Sequence, residues 1–203
     1  MDAQEKEKLL KRIETLQLEK VRMSRSLVEL QMLNETFKDI NSTLDLDTVL
    51  KKIMARVSFC MEADVCTVML LDQEAGELFV AAAEGMDDET AAEVFLPLGH
   101  GIAGWVAEKG EPVLVTDVEK DFSFDERESG MRHGSRSLVC APLVSKGTVL
   151  GVVTANRPGG GSPFTEADLD LLTNIADQAA VCIENARLFA QLRERAESHG
   201  EDA

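Results

Sequence analysis

The first forty-four residues carry an apolar residue at every seventh position. The repeat consists of Leu9, Leu16, Met23, Leu30, Phe37 and Leu44. An apolar heptad seam is typical of a coiled coil, and Asn34 and Asn41 fall at the companion a positions, where buried asparagines favour a parallel dimer. Because no Gly or Pro precedes Gly76, the pattern predicts one helix over about residues 5–41, roughly 50 Å long. We therefore expect a coiled-coil dimerisation helix within residues 1–45. The alternative is an amphipathic helix lying on its own domain, and the extra apolar side chains near its lower end suit both arrangements.

A second feature is the glycine-rich stretch FLPLGHGIAGWVAEKGEPVLVTD, residues 95–117. It predicts a short strand, a turn at Gly99–Gly101, a helix over residues 102–109 and a strand from Val113. The first amides of that helix have no intrahelical partner, so they can bind an anion or a carbonyl. The alternative is that the glycines only permit a tight turn.

The remaining pattern predicts helices and strands in an α+β arrangement. An Asp45 or Asp47 cap opens a helix, and Thr165 with Asp168 forms a capping box that opens a last helix ending near Arg195. Strands are expected over residues 65–71, 77–83, 92–97, 137–144 and 148–155, with a hairpin turn at Lys146–Gly147 and a flexible connector over 157–162.

The last predicted helix carries a stripe of apolar and small side chains. Its members are Leu169, Leu172, Ile175, Ala176, Ala179, Ile183 and Ala186. Small residues permit close contact between helices. We expect that one domain can fully bury neither this stripe nor the heptad seam by itself, so that both stripes need a partner surface.

Charge and cysteine content narrow the class of protein. The formal net charge of −16 repels phosphate backbones, so neither nucleic acid nor an anionic membrane is an expected partner. No apolar run approaches a bilayer span and the first residues are too charged for a secretory signal, which predicts a cytoplasmic protein. Four widely spaced cysteines without a CxxC pair indicate neither a metal site nor a disulfide framework.

The order of elements and several motifs resemble the GAF domain, a small-molecule sensing module of signalling proteins. The motifs are LGHGIAGWV at residues 98–106, GEPVLVTD at 110–117, RSLVCAPL at 136–143 and VLGVV at 149–153. The resemblance implies a GAF-like central antiparallel sheet of about six strands flanked by helices, with a ligand cavity under the glycine-rich helix. It implies a domain over residues 46–190, followed by a polar tail over 191–203, and a homodimer joined through the first and last helices.

The resemblance and the local pattern together give a set of candidate ligand-binding residues. They are Phe95, Gly101, Ile102, Trp105, Asp117, Phe122, Phe124, Arg132, His133, Arg136 and Ser137. The basic cluster at 132–136 favours an anionic ligand or one with a carbonyl-rich ring. Lys120, Phe122, Asp125 and Glu126 resemble part of the motif of cyclic-nucleotide-binding members, but Asp117 or Glu119 stands where that motif has asparagine. The identity of the ligand, and of any cofactor, stays open.

Other functions in this family are disfavoured by the residues present. No cysteine precedes His133 for attachment of a bilin, and the three histidines are too scattered for a haem or iron site. A GAF-like free methionine sulfoxide reductase would need a reactive thiol, and Cys66 and Cys140 can each face the cavity but neither lies in the expected loop. We therefore expect a cytoplasmic sensory module that is not an enzyme and acts on a protein partner. The alternatives are a ligand-free dimerisation scaffold and, less favoured, the reductase.

Overall fold

A computed structural model of the protein describes residues 45–117, 135–158 and 162–200. The predicted N-terminal coiled coil and most of the polar segment after residue 117 lie outside the described residues. All of the elements described below belong to one compact unit of the chain.

The described residues form a six-stranded sheet with four helices. The elements, in chain order, are α1 (Leu46–Met61), β1 (Val65–Asp72), β2 (Glu77–Glu84), α2 (Asp88–Ala92), β3 (Phe95–Pro97), α3 (Gly101–Lys109), β4 (Val113–Val115), β5 (Ser135–Ser145), β6 (Thr148–Pro158) and α4 (Glu166–Gly200). The strand order is β3-β2-β1-β6-β5-β4, and each neighbouring pair is antiparallel. This is the predicted GAF-like fold with its six antiparallel strands and flanking helices.

The predicted helix caps and the predicted hairpin turn are present in the structure. Asp45 caps α1 by accepting a hydrogen bond from the Thr48 amide at 2.9 Å. Thr165 and Asp168 form the predicted capping box, in which the Thr165 amide donates to Asp168 Oδ2 at 2.8 Å. Lys146 turns the β5–β6 hairpin with a φ of 51°.

The two faces of the sheet carry different helices. α3 packs against β5 and β6 on one face, which we call the α3 face, whereas α1 packs against β1 and β2 and α4 packs against β5. Because side chains alternate along a strand, the even-numbered residues of β6 from Val152 onward and the odd-numbered residues of β1 share the α3 face. The opposite face, which we call the α4 face, contains buried residues such as Val68 and Val153.

The small-residue stripe of the last helix is buried inside the chain itself, which corrects the expectation that it needs a partner surface. Six of its members are 0–1% exposed: Leu172, Ile175, Ala176, Ala179, Ile183 and Ala186. Small side chains let α4 approach the sheet and α1 closely, so a single domain covers this stripe without a second copy.

Several predicted boundaries differ from the structure, among them the end of the last helix, which is Gly200 rather than about Arg195. The strand expected over 92–97 begins at Phe95, because Asp87 caps the short helix α2 immediately before it. The β5–β6 hairpin is longer than predicted at its open end. Arg157 belongs to β6 rather than to a flexible connector, since its guanidinium donates to the Met61 carbonyl at 2.7 Å.

Candidate functional site

Two threonines form a buried polar pair in the middle of the α3 face. Thr67 of β1 and Thr154 of β6 lie directly opposite each other in the antiparallel register. Their hydroxyl oxygens are 2.8 Å apart, and each residue is 6% exposed. Cys140 of β5 is the next residue in the same row across the sheet. The pair therefore places hydroxyl groups where the neighbouring strands otherwise present apolar side chains.

Asn156 lies two residues beyond Thr154 on the same face. Its side-chain oxygen Oδ1 is buried and has no hydrogen-bond partner among the described residues. In the register it stands between Val65 of β1 and Leu138 of β5. A buried carboxamide oxygen without a donor costs free energy, on the order of 1–3 kcal/mol, so it is a natural contact for a bound molecule.

The polar groups are surrounded by a continuous apolar cluster beneath α3. Its buried members are Met69, Leu71, Leu78, Ile102, Ala103, Val106, Ala107, Val115, Leu138, Cys140 and Val152. Trp105 is half-buried and packs against this cluster. An apolar face with a few convergent polar groups is the usual composition of a small-molecule site.

The glycine-rich turn before α3 is closed by its own hydrogen bonds. The Gly99 amide donates to the Gly104 carbonyl at 2.9 Å, and the His100 amide donates to the Pro97 carbonyl at 3.1 Å. A Cβ on Gly104 would lie 2.5 Å from the Pro97 carbonyl oxygen, so this position requires glycine for close packing. These contacts support the interpretation of the stretch as a tight, well-packed turn, and the amides at 99 and 100 have partners within the chain.

The structure brings together only some of the candidate residues predicted from the sequence. Gly101 and Ile102 are buried in α3 beside Trp105. Asp117 is half-buried just after β4. Phe95 is 57% exposed, and its pairing with Phe79 places it on the opposite face from α3.

Ser137 has a structural hydrogen-bond network of its own. Its hydroxyl donates to the Val115 carbonyl at 2.9 Å and accepts from the Phe164 amide at 2.9 Å. It therefore connects β5 with the end of β4 and the segment before α4. The remaining candidates fall outside the description: Phe122, Phe124, Arg132 and His133 are not among the described residues, and of Arg136 only the backbone is described.

The two cysteines considered as reactive thiols lie on opposite faces of the sheet. Cys140 faces the α3 cluster and is completely buried, and burial raises the pKa of its thiol. Cys66 lies on the α4 face, where burial, with smaller contributions from Glu84 and Asp64, raises its pKa to about 12. Both thiols stay protonated at neutral pH, whereas a nucleophilic cysteine needs a lowered pKa.

The described residues contain neither a metal-binding cluster nor a membrane-spanning helix. No group of three or more His, Cys, Asp or Glu side chains in residues 45–117, 135–158 and 162–200 is arranged to hold a metal ion. Within the same ranges, none of the helices combines the length and the apolar character that crossing a bilayer requires.

Thr67, Thr154 and Asn156 were not predicted from the sequence. The runs that contain them, VCTVML and VVTANR, were interpreted as apolar core strands. Two polar positions at two-residue spacing, 154 and 156, were the available signal, because such positions share one face of a strand. Their pairing with Thr67 depends on a register that the sequence does not display.

Comparisons with known proteins support one family. A family model for the GAF domain matches residues 45–183. The chain is 33% identical over 170 residues to the dual 3',5'-cyclic-AMP and -GMP phosphodiesterase 11A of Takifugu rubripes, covering 78% of this chain and 19% of the relative. It is 28% identical over 178 residues to the Nif-specific regulatory protein of Azospirillum brasilense, covering 85% and 28%. The chain thus spans less than a third of the length of either relative.

Solved structures show the same architecture. The GAF domain of an Acinetobacter phosphoenolpyruvate-protein phosphotransferase superposes with a TM-score of 0.69 at 25% identity, covering 79% of this chain and 95% of that one. The free methionine-R-sulfoxide reductase of Neisseria meningitidis superposes with a TM-score of 0.66 at 24% identity, covering 77% and 88%. At that identity the second likeness shows the fold alone.

Proposed function

Because the chain belongs to the GAF domain family, we propose that it is a regulatory module that binds a small molecule on the α3 face and acts on a protein partner. The observation that carries this proposal is the Thr67–Thr154 pair and the unpartnered Asn156 oxygen within the apolar cluster under α3. A ligand-free scaffold gains nothing from buried polar groups, which lower its stability unless they are satisfied. A sensor needs such groups to orient its ligand.

The relatives support a regulatory role without naming the ligand. The name of the Takifugu rubripes relative gives cyclic AMP and cyclic GMP as the compounds on which that whole protein acts, and the Azospirillum brasilense relative is named as a regulator. Cyclic nucleotides therefore belong in the binding panel for this chain. They are anionic, however, and the buried polar groups of the α3 face favour a neutral ligand.

Side-chain hydrogen bonds connect the strand that carries part of the proposed ligand site on the α3 face with the last helix. The β5–β6 turn precedes the strand that carries Thr154, and it is fastened to α4 by two hydrogen bonds. Ser145 donates to Glu184 Oε2 at 2.6 Å, and Lys146 donates to Glu184 Oε1 at 3.2 Å. A ligand that displaces β6 would therefore also move the β5–β6 turn, and the two hydrogen bonds to Glu184 would pass that movement to α4. We propose this contact as the route by which the pocket acts on the last helix.

We propose that the last helix pairs with a second copy of the chain. Val181, Leu188 and Leu192 are 46%, 46% and 64% exposed, and their spacing of seven and four residues places them on one side of α4. That side is opposite the buried stripe. This exposed apolar side of α4 and the heptad repeat of residues 9–44 both favour a parallel dimer that is held together by a helical bundle.

Enzymatic activity is not part of the proposal. The Cys140 thiol, which is the cysteine on the α3 face, is buried and its pKa is raised. Reduction of methionine sulfoxide by this chain would require that thiol to ionise. An assay for methionine sulfoxide turnover, with Cys140→Ala as the comparison, tests this point: turnover that disappears in the variant would replace the sensor by a reductase.

The fluorescence of Trp105, the single tryptophan of the chain, tests the proposed ligand site. Native mass spectrometry first establishes whether purified protein retains a molecule. Titration of ligand-free protein with cyclic nucleotides, nucleotides, nucleobases and small carboxylates is then expected to change the emission for at least one compound, because Trp105 packs on the cluster that lines the α3 face. A flat response to the whole panel, with no retained molecule, would favour the scaffold.

A further inference from the structure

We infer that the ligand bound on the α3 face is electrically neutral and presents an amide-type edge, with a carbonyl and an N–H side by side, as in a lactam, an imide or a primary carboxamide. The inference rests on the proposed function, since it assigns a chemical class to the ligand of the same site. Three steps lead to it: the absence of buried charge among the residues described on this face, the hydroxyl donor of the Thr67–Thr154 pair, and the amide oxygen of Asn156.

The first step is the charge of the buried surface. Four polar residues of the described chain are buried, Thr67, Ser137, Ser145 and Thr154, at 1–6% exposure, and each of them carries only a hydroxyl group. Of these four, only Thr67 and Thr154 lie on the α3 face. An ionised group moved from water to the α3 face would meet no buried counter-charge among the residues described on that face, since the buried Arg56 Nε belongs to α1. Burying an unpaired charge costs several kcal/mol. A neutral ligand avoids that cost.

The second step is a hydrogen-bond donor. The hydroxyls of Thr67 and Thr154 together carry two protons. One proton forms the 2.8 Å bond between the two oxygens. The second proton has no acceptor among the described residues. A carbonyl oxygen of a ligand would accept it.

The third step is an acceptor beside that donor. Asn156 Oδ1 is buried and unpartnered within the described residues. A carboxamide has an oxygen acceptor and an NH₂ donor next to each other, so it pairs with another amide edge in either orientation of its own group. The Cα atoms of residues 154 and 156 are about 7 Å apart at the rise of an antiparallel strand. One small ring spans this distance.

The test uses two neutral probes, uracil and nicotinamide, and two anionic probes, benzoate and inorganic phosphate. Ligand-observed NMR and calorimetry would measure binding to the full chain after any retained molecule has been identified. We expect the neutral probes to bind and the anions not to bind. Thr154→Val and Asn156→Leu should each weaken binding of the neutral probes by about tenfold, the usual effect of one lost buried hydrogen bond.

Matched controls separate this effect from general damage to the fold. Thr148→Val and Asn174→Leu make the same chemical changes at exposed positions of β6 and α4, and both should leave binding unchanged. Thermal unfolding shows whether each variant is folded. If Asn156→Leu does not fold, Asn156→Asp retains the shape, removes the NH₂ donor and adds a charge, and it is expected to weaken the same probes.

The outcomes distinguish this inference from the proposed function. Binding of benzoate or phosphate that is insensitive to the substitutions at 154 and 156 would overturn the neutral amide edge while leaving a small-molecule sensor in place. A retained anionic molecule found by native mass spectrometry would do the same. Absence of binding by every probe and of any retained molecule would overturn both.

Discussion

The guanidinium of Arg157 lies over the ring of Phe164, with its central carbon 4.1 Å from the ring centroid. The same guanidinium donates to the carbonyl of Met61 at 2.7 Å and to that of Ser162 at 3.2 Å. Phe164 is 1% exposed, and its amide donates to Ser137 Oγ. One side chain thus joins the end of β6, the end of α1 and the segment that leads into α4.

Arg157→Lys is expected to lower the free energy of unfolding by about 1–3 kcal/mol. Lysine keeps the charge, but it cannot stack a planar group on Phe164 and donate to two carbonyls at the same time. Urea denaturation measures the change. Lys51→Arg, the reverse exchange of the two basic groups at an exposed position of α1, is the control and should alter stability by less than about 0.5 kcal/mol. Equal effects of the two substitutions would show that the Arg157 contacts contribute nothing.

Gly104→Ala is expected to destabilise the protein by about 1–3 kcal/mol, because the new Cβ would overlap the Pro97 carbonyl oxygen. The sign of the stability change distinguishes close packing from an unconstrained helix. In an unconstrained helix, alanine is more stable than glycine by about 1 kcal/mol. Glu108→Ala, on the exposed side of the same helix, provides the control. An increase in melting temperature for Gly104→Ala would mean that α3 does not pack closely on the turn.

The elements that could be predicted from the sequence are those set by local chemistry. The Asp45 cap, the Thr165–Asp168 box and the Lys146–Gly147 turn each involve residues within three positions of one another, so their sequence signals are complete. The glycine-rich helix and both hairpins follow from the same kind of signal.

The parts that could not be predicted depend on contacts distant in sequence. Thr67 and Thr154 are separated by 87 positions, and Arg157 and the Met61 carbonyl by 96. A strand register and the ends of two helices decide these contacts, and no local pattern encodes them. The stripe on the last helix was wrongly assigned to a partner for a related reason, since its spacing shows that it is buried but does not show which surface buries it.

Cys66 should make stability fall at alkaline pH. Burial, with Glu84 and Asp64 nearby, raises the pKa of the native thiol from 9.0 to about 12. Above pH 9 the unfolded chain releases this proton and the native chain keeps it, so the free energy of unfolding decreases as pH rises from about 9 to 12. One pH unit above the unfolded pKa, the loss of unfolding free energy from this group is on the order of 1 kcal/mol.

Cys66→Val should remove that part of the pH dependence. Urea denaturation between pH 7 and about pH 10 would compare the variant with the wild type. Val68→Ala, on the same strand and face, removes buried volume without removing a titrating group, so its effect on stability should be the same at every pH. A Cys66→Val effect that is equally independent of pH would contradict the raised pKa.

Ser145→Ala is expected to destabilise the protein more at pH 7 than at pH 3. The hydroxyl of Ser145, followed by the ammonium of Lys146, lowers the pKa of Glu184. A carboxyl group with a lowered native pKa contributes stability above its unfolded pKa, and the contribution is lost as pH falls through the native value. Ser137→Ala removes a buried hydroxyl with only backbone partners, so its cost should not vary over this range. Equal costs of Ser145→Ala at both pH values would show that the β5–β6 turn is not held to α4 through an ionised Glu184.

Leu188→Lys combined with Leu192→Lys is expected to convert a dimer into a monomer of 22.2 kDa. Both leucines are exposed on the side of α4 that lies opposite its buried stripe. Lysine there should not disturb the core of one chain, but two copies brought together would oppose like charges. Light scattering measures the mass, and urea denaturation of the dilute monomer measures the fold. Ala190→Lys is the control, because it adds the same charge at an exposed position on the other side of the helix.

The direction of the dimer follows from the N-terminal repeat. If two chains are parallel and in register, Asn34 meets Asn34, and each carboxamide can donate to and accept from its counterpart. Leu16→Cys in a chain whose four natural cysteines are replaced should then crosslink rapidly to itself under mild oxidation. Leu188→Lys with Leu192→Lys should slow this crosslinking if one helical bundle includes both segments, whereas Ala190→Lys should not. A wild-type chain that is monomeric at high concentration, or a Leu16→Cys chain that does not crosslink to itself, would remove the proposed bundle and leave the ligand site on the α3 face to be judged by its own binding tests.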